Sequence, residues 1–301
     1  MQYFLTFALD TDYPTLPIDS QRFSRLKASR SILAEALEVE EEYEMMISNY
    51  IDLEKESLNA SISYMVRTPR MYAEFFDARL ALNRRLMNLL TSVRLYNDRL
   101  TDHCCSCLPG NTGIEERVES LRSAEYETNF DYRFMEALRN YIQHYGTAVH
   151  HVTFGASLIP PRINGLVQIS STFSADKKVL ASDPHFKKKK QVLDGMPDKV
   201  DLISSSRGYI EALSSIHSNV RQMVSKSVNE ARSLIQTAID DYRAVYKKDL
   251  VALGAYAFDE KMKTDEILLF LSWDDIRLHL QNRNKQLINL KKSYVTGQST
   301  K

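Results

Sequence analysis

Arg139, Asn140, Gln143 and His144 stand close together in the stretch NFDYRFMEALRNYIQHYG, residues 129–146. A guanidinium stays charged at neutral pH and grips a phosphate through parallel N–H donors. An imidazole titrates near neutrality and can give or take a proton. The chemistry these side chains suit is binding a phosphate and moving a proton beside it. The stretch reads as an amphipathic helix. With Phe134 at zero and about 100° per residue, Leu138, Tyr141 and Tyr145 fall within roughly 40° of it and form the core stripe. Arg139, Asn140, Gln143 and His144 take the opposite arc, paired at a spacing of four. That arc is expected to face water and to carry no carboxylate. The bland alternative is an ordinary solvated face. Gly146 is expected to end the helix by adopting the left-handed conformation.

RNYIQH, Arg139 to His144, resembles the Arg-Asn-x-x-x-His form of the motif found in HEPN-superfamily proteins. These are helical bundles, and many are metal-independent ribonucleases of toxin–antitoxin, antiphage and CRISPR systems. A looser likeness, of long helices followed by the motif near the end of a later helix, covers the first half of the chain. The resemblance implies a HEPN-like core over residues 20–147. It implies an endoribonuclease in which the RNA's own 2′-hydroxyl attacks the adjacent phosphorus. The products are a 2′,3′-cyclic phosphate and a 5′-hydroxyl, and no cofactor or metal is needed. Arg139, Asn140 and His144 are then the catalytic residues. His144 is the acid/base, Arg139 holds the phosphate and Asn140 orients either one. DNA lacks the 2′-hydroxyl and would resist.

Side chains five apart on a helix project about 140° apart around its axis. Arg139 and His144 of one helix therefore converge poorly on one phosphate. Two motif helices meeting across a two-fold axis solve this, and HEPN nucleases are generally built so; a homodimer with a shared site is expected. An antitoxin or regulatory partner belongs to the same likeness. Two other readings stay open: a HEPN-like module that binds RNA or a nucleotide without cutting, and a helical protein-interaction adaptor in which RNYIQH is accidental.

Gln143, His151, Lys187, Lys188, Lys189 and Lys190 are the weaker substrate-binding candidates. The lysines lie in FKKKK, with Lys177, Lys178 and His185 nearby, and suit RNA backbone; a solvated loop is the competing reading. His150 and His151 fall on a strand and point to opposite faces. His103, Cys104, Cys105 and Cys107 lack metal-site spacing and are read as helix-end packing.

The elements that must position these groups are mostly helical. Residues 2–9 suit a strand. Asp19 or Ser20 should cap a long helix running into the low sixties, with EVEEEYE, Glu38 to Glu44, on its solvated side. Thr68-Pro69 breaks it, and a second long helix follows from about Arg70 to Asp102. A short helix near Glu115–Ala124 leads into the motif helix. AVHHVTFGA and LVQISSTF should pair as a hairpin across Pro160-Pro161, with residues 2–9 as a possible third strand. Long helices are expected over about 198–248, with a possible break at Ser204–Ser206, and over 263–294. The whole is read as one domain, mainly α, with a small β element. Its parts are the helical core at 20–147, the β element and lysine-rich excursion at 148–197, and the C-terminal helices at 198–295.

Composition agrees. Glycine and proline number only 9 and 8 among 301 residues, which favours helices over a sandwich or barrel. Formal net charge is zero, so no global field draws the chain to nucleic acid and any polyanion site must be local. The three cysteines are clustered, a poor disulfide framework, and a reducing, cytoplasmic setting is expected. No apolar run is long enough to span a membrane, and the N-terminus lacks a basic leader. Walker, Gly-x-Gly-x-x-Gly and Gly-x-Ser-x-Gly motifs are absent, which excludes those nucleotide-hydrolase and serine-hydrolase signatures.

Overall fold

The structure is a computed structural model and describes residues 1–7, 13–67, 71–158, 165–246, 253–260 and 262–295. The turns expected at Thr68-Pro69 and Pro160-Pro161 lie outside them. The protein is mostly helical, with two small antiparallel sheets. Its elements in order are β1 (Gln2–Phe7), β2 (Leu16–Ile18), α1 (Ser20–Arg67), α2 (Tyr72–Cys107), α3 (Ile114–Thr128), α4 (Phe130–His144), β3 (His151–Leu158) and β4 (Val167–Asp176). Then come α5 (Lys177–Ser182), α6 (Lys190–Gly195), β5 (Lys199–Asp201), α7 (Leu202–Val245), β6 (Leu253–Asp259), β7 (Met262–Leu268) and α8 (Asp274–Arg283). No helix of the described residues is long and apolar enough to cross a membrane. The chain divides into two compact units, and α1, α2, α3 and α7 contribute residues to both.

The first unit comprises Met1–Glu42, Asp98–Val118 and Ser218–Lys285. Its sheet runs β2-β1-β6-β7, all antiparallel, with Leu5 opposite Ala255. Leu5, Leu33, Ile235, Tyr242 and Ala255 are fully buried at its core. Two expectations are corrected here. Residues 2–9 do not extend the 150–173 hairpin: β1 pairs with β2 and β6. Nor is 263–294 one long helix. Its first part is β7, Glu260 just after β6 takes φ 54, and only Asp274–Arg283 is α-helical. The Lys- and Glu-rich composition of this stretch favours helix locally, but pairing along β6 overrides it.

The acidic run on α1 is not all solvated. Glu40 and Glu42 are each only 2 % exposed. Arg221 holds Glu40 with two donors, at 2.8 and 2.5 Å, and Gln281 adds a third at 3.0 Å. Arg99 donates to Glu42 at 2.7 Å. Burying carboxylates this deeply is tolerable only with such partners. His103 bonds Glu35 at 2.6 Å, and Cys104 and Cys107 are buried, so the HCCSC stretch does pack inside a helix end. Among the described residues no group of His, Cys, Asp and Glu is arranged to hold a metal ion.

The second unit comprises Tyr43–Asn97, Glu119–His217 and Gln286–Lys301. Its sheet runs β3-β4-β5. The expected hairpin forms, with His151 opposite Ser174 and Leu158 opposite Val167. Tyr64 of α1 stacks on Phe154 of β3 at 4.8 Å between ring centroids. His217 lies inside, stacked on Tyr43 at 3.7 Å and bonded to the Tyr96 hydroxyl at 2.8 Å. Helix α7 runs unbroken through Ser204–Ser206. Ser206 Oγ donates to the Leu202 carbonyl at 2.7 Å, so the serines bond within the helix or across to α4 and do not interrupt it.

Candidate functional site

Helix α4 starts where Asn129 caps it. The Asn129 side chain accepts from the Asp131 and Tyr132 amides at 3.0 and 3.3 Å. Phe134, Met135 and Leu138 are fully buried, and removing one such side chain costs about 3 kcal/mol. A second anchorage is polar. Asp131 accepts from Ser205 Oγ of α7 at 3.0 Å and from Lys291 Nζ at 2.6 Å. Tyr132 packs on Tyr209 of α7 with ring centroids 5.4 Å apart. The Tyr209 hydroxyl donates to Glu136. Burial first, and the Glu136 charge second, push that phenol well above its ordinary range, so it stays a donor.

This second anchorage corrects the reading of Arg139. The residue is 8 % exposed. Its guanidinium pairs with Glu136 through Nη1 at 3.3 Å and Nη2 at 3.0 Å. Its Nε is buried with no partner among the described residues. The arc was expected to be water-facing and free of carboxylate. Glu136, three residues before Arg139, supplies that carboxylate, and beside α7 Arg139 is buried and Glu136 half-buried. A helix wheel drawn around one apolar stripe cannot register a second covering helix. The signal that was legible is the Glu136–Arg139 spacing of three, an ion-pair spacing on any helix.

Asn140 and His144 point elsewhere. They line a pocket of about 300 Å³ with Tyr141, Tyr145, His185, Phe186, Lys188 and Lys189, a volume at the small end of ligand sites. The segment carrying the lysines is seated by aromatic contacts. Phe186, only 2 % exposed, meets the Tyr141 ring edge-on at 5.8 Å. Asp183 Oδ1 accepts the His185 and Phe186 amides, both at 2.9 Å, and fixes the turn. The His185 ring stacks on Tyr145 at 4.0 Å and 11°. The His144 ring lies 5.7 Å from the other partner of that stack, Tyr145. Gly146 closes this end by close approach rather than by a left-handed turn. A Cβ there would sit 2.6 Å from the Tyr141 hydroxyl, and its φ is not positive.

The remaining sequence candidates fall outside the pocket. Gln143, Lys187 and Lys190 are exposed and do not line it. His151 bonds Asp176 Oδ2 at 2.9 Å through Nε2. That bond, with the α5 amides of Val179 and Lys178, holds the Asp176 carboxyl down to about 2. His150 turns the other way, its Nδ1 accepting the Asp176 amide at 2.8 Å. Conversely, Tyr145 was read as core but is 46 % exposed and lines the pocket. His185 was noticed only as a neighbour of the lysines.

The C-terminal end of a helix is the wrong end for an anion, since its dipole presents carbonyls. Positive charge at this pocket comes instead from Lys188 and Lys189. The arrangement offers two cations, one amide and two imidazoles around one small cavity, a set suited to a phosphate and to proton transfer beside it. No family model matches this chain, and neither does any curated protein or solved structure.

Proposed function

We propose that this pocket binds a phosphodiester of RNA and cleaves it by 2′-hydroxyl attack, leaving a 2′,3′-cyclic phosphate and a 5′-hydroxyl. The observation that carries the reading is that Asn140 and His144 line the same cavity as Lys188 and Lys189. His144 moves a proton, the lysines offset charge on the phosphorane, and Asn140 donates to a phosphate oxygen. Arg139 is assigned a different task from the one its sequence suggests: through Glu136 it fixes the helix that carries Asn140 and His144. The choice of RNA rests on the resemblance of Arg139–His144 to the HEPN motif, as does any role in antiphage defence or toxin biology.

The test is incubation with a mixed RNA substrate in EDTA, scoring cyclic-phosphate ends. His144→Ala should lower cleavage about 100-fold or more, the usual worth of a positioned acid/base. Replacing Lys188 and Lys189 together by Ala should weaken RNA binding and flatten its salt dependence. Unchanged cleavage by His144→Ala would end the proposal. A second reading, RNA binding without cutting, draws on the burial of Arg139 in its ion pair. It predicts retention on RNA by the wild type with no cyclic-phosphate product.

A further inference from the structure

Cleavage by a 2′-hydroxyl needs two proton movements, and the motif supplies one imidazole. We infer that His185 supplies the other, so that a single protomer holds both members of the acid–base pair; this inference rests on the function proposed above. His185 lies 41 residues beyond His144 in sequence, on the turn before the lysines, yet both line one pocket. Both rings neighbour Tyr145, whose centroid lies 4.0 Å from the His185 ring and 5.7 Å from the His144 ring.

The stack on Tyr145 fixes the plane of the His185 ring, and the residue is exposed. Neither imidazole makes a side-chain hydrogen bond with any described residue, and both are exposed. A histidine kept for packing is normally buried and bonded, as His217 is against Tyr43 and Tyr96. The charged and titratable groups around His185 are His144 and Tyr141 on α4, Tyr145 just after it, Asp183 on its own turn, and Lys188 and Lys189 beyond it. Tyr141 and Tyr145 add bulk, and the lysines hold the phosphate between the imidazoles.

The step balances without a co-reactant. One neutral imidazole takes the 2′-hydroxyl proton as the 2′-oxygen bonds to phosphorus. The bond from phosphorus to the 5′-oxygen breaks, and the other imidazole, protonated, gives its proton to that oxygen. Arg139 is not required at the phosphate, and a second copy of the chain is not required to complete the site.

The experiment compares wild type, His144→Ala, His185→Ala and His185→Asn on two substrates. One is a short RNA in EDTA. The other is a uridine 3′-phosphate ester with a p-nitrophenol leaving group, which departs without protonation. Each single variant should lose about 100-fold or more on RNA, with melting temperatures unchanged because both rings are exposed. On the nitrophenyl ester, the variant lacking the acid should recover and the one lacking the base should not. The bell-shaped pH–rate profile of the wild type should lose one limb in each variant. Mixing His144→Ala with His185→Ala protein should restore nothing. Full RNA cleavage by both His185 variants, with His144→Ala dead, overturns the role of His185 and leaves the proposed function standing. Recovery of neither variant on the ester, or restored activity on mixing, also overturns it. A wild type that cuts no RNA removes the function itself.

Discussion

Arg139 and His144 occupy one six-residue motif but have different surroundings. Arg139 sits beside Glu136 and Tyr209, nine-tenths buried, whereas His144 is exposed at a pocket. Loss of either therefore has a different consequence. Arg139→Ala leaves the half-buried Glu136 carboxylate with the Tyr209 hydroxyl but no cation and should destabilise the protein by about 2 kcal/mol, read as a shift in the urea midpoint at constant slope. His144→Ala should leave the midpoint in place. A stable Arg139→Ala protein that has lost RNA binding would mean that the guanidinium leaves Glu136 to reach the phosphate, and the positioning role would fail. The asymmetry follows from burial: a charge pair in a poor dielectric is costly to break from one side, and an exposed ring is not.

Helix α4 is placed by how closely α7 approaches it. Gly208 of α7 makes that approach possible, since a Cβ there would lie 2.1 Å from Asp131 Oδ2 and 2.8 Å from its Cγ. Asp131 itself is held by Ser205 and Lys291 and has little room to yield. Gly208→Ala should cost about 2 kcal/mol through overpacking. In an Asp131→Ala background the same change should cost less, since only the contact with the residue-131 Cβ, at 2.9 Å, then remains. Equal costs in both backgrounds, measured by denaturant unfolding, would show that Gly208 serves something other than this approach. The shift of α4 in the single variant should also lower cleavage, because Asn140 and His144 ride on that helix.

Acid should act on the two compact units at different pH. In the second unit, burial holds the His150 imidazole below its ordinary value, against the opposing pull of Asp176, and its Nε2 is buried without a partner among the described residues. The folded state thus prefers neutral His150. The stability it contributes is complete above about pH 6.5 and is lost as pH falls and the unfolded chain takes up the proton first. In the first unit, burial pushes the Asp274 carboxyl up, but Arg277 at 2.6 Å and Arg232 outweigh it and hold it below its usual range. That contribution is complete above about pH 4 and fades only as pH falls further. Hydrogen exchange, corrected for intrinsic rates, should show β3–β4 losing protection between pH 7 and 5.5 while β6–β7 and α8 keep theirs until below about pH 4. His150→Asn should remove the first loss. Simultaneous loss in both places would refute the assignment.

The sequence alone determined what depends on near neighbours. Helix α1 begins at its Asp19 cap, whose Oδ1 accepts the Arg22 amide at 2.6 Å, and α4 follows its apolar period. The hairpin β3–β4 follows its alternation, and Cys104 and Cys107 of HCCSC are buried at the end of α2. Those features are written in spacings of a few residues, where propensity, capping and periodicity act. Tertiary structure decided the rest. It buried Arg139, Glu40 and Glu42 by bringing partners from distant parts of the chain. It turned the first part of the expected 263–294 helix into β7 by pairing it with β6, which itself pairs with β1, some 250 residues away in sequence. It also brought His185, Lys188 and Lys189 against Asn140 and His144. One helix's period records which of its faces is apolar; it holds no record of how many neighbours will cover that helix, or of which remote turn will come to rest at its end.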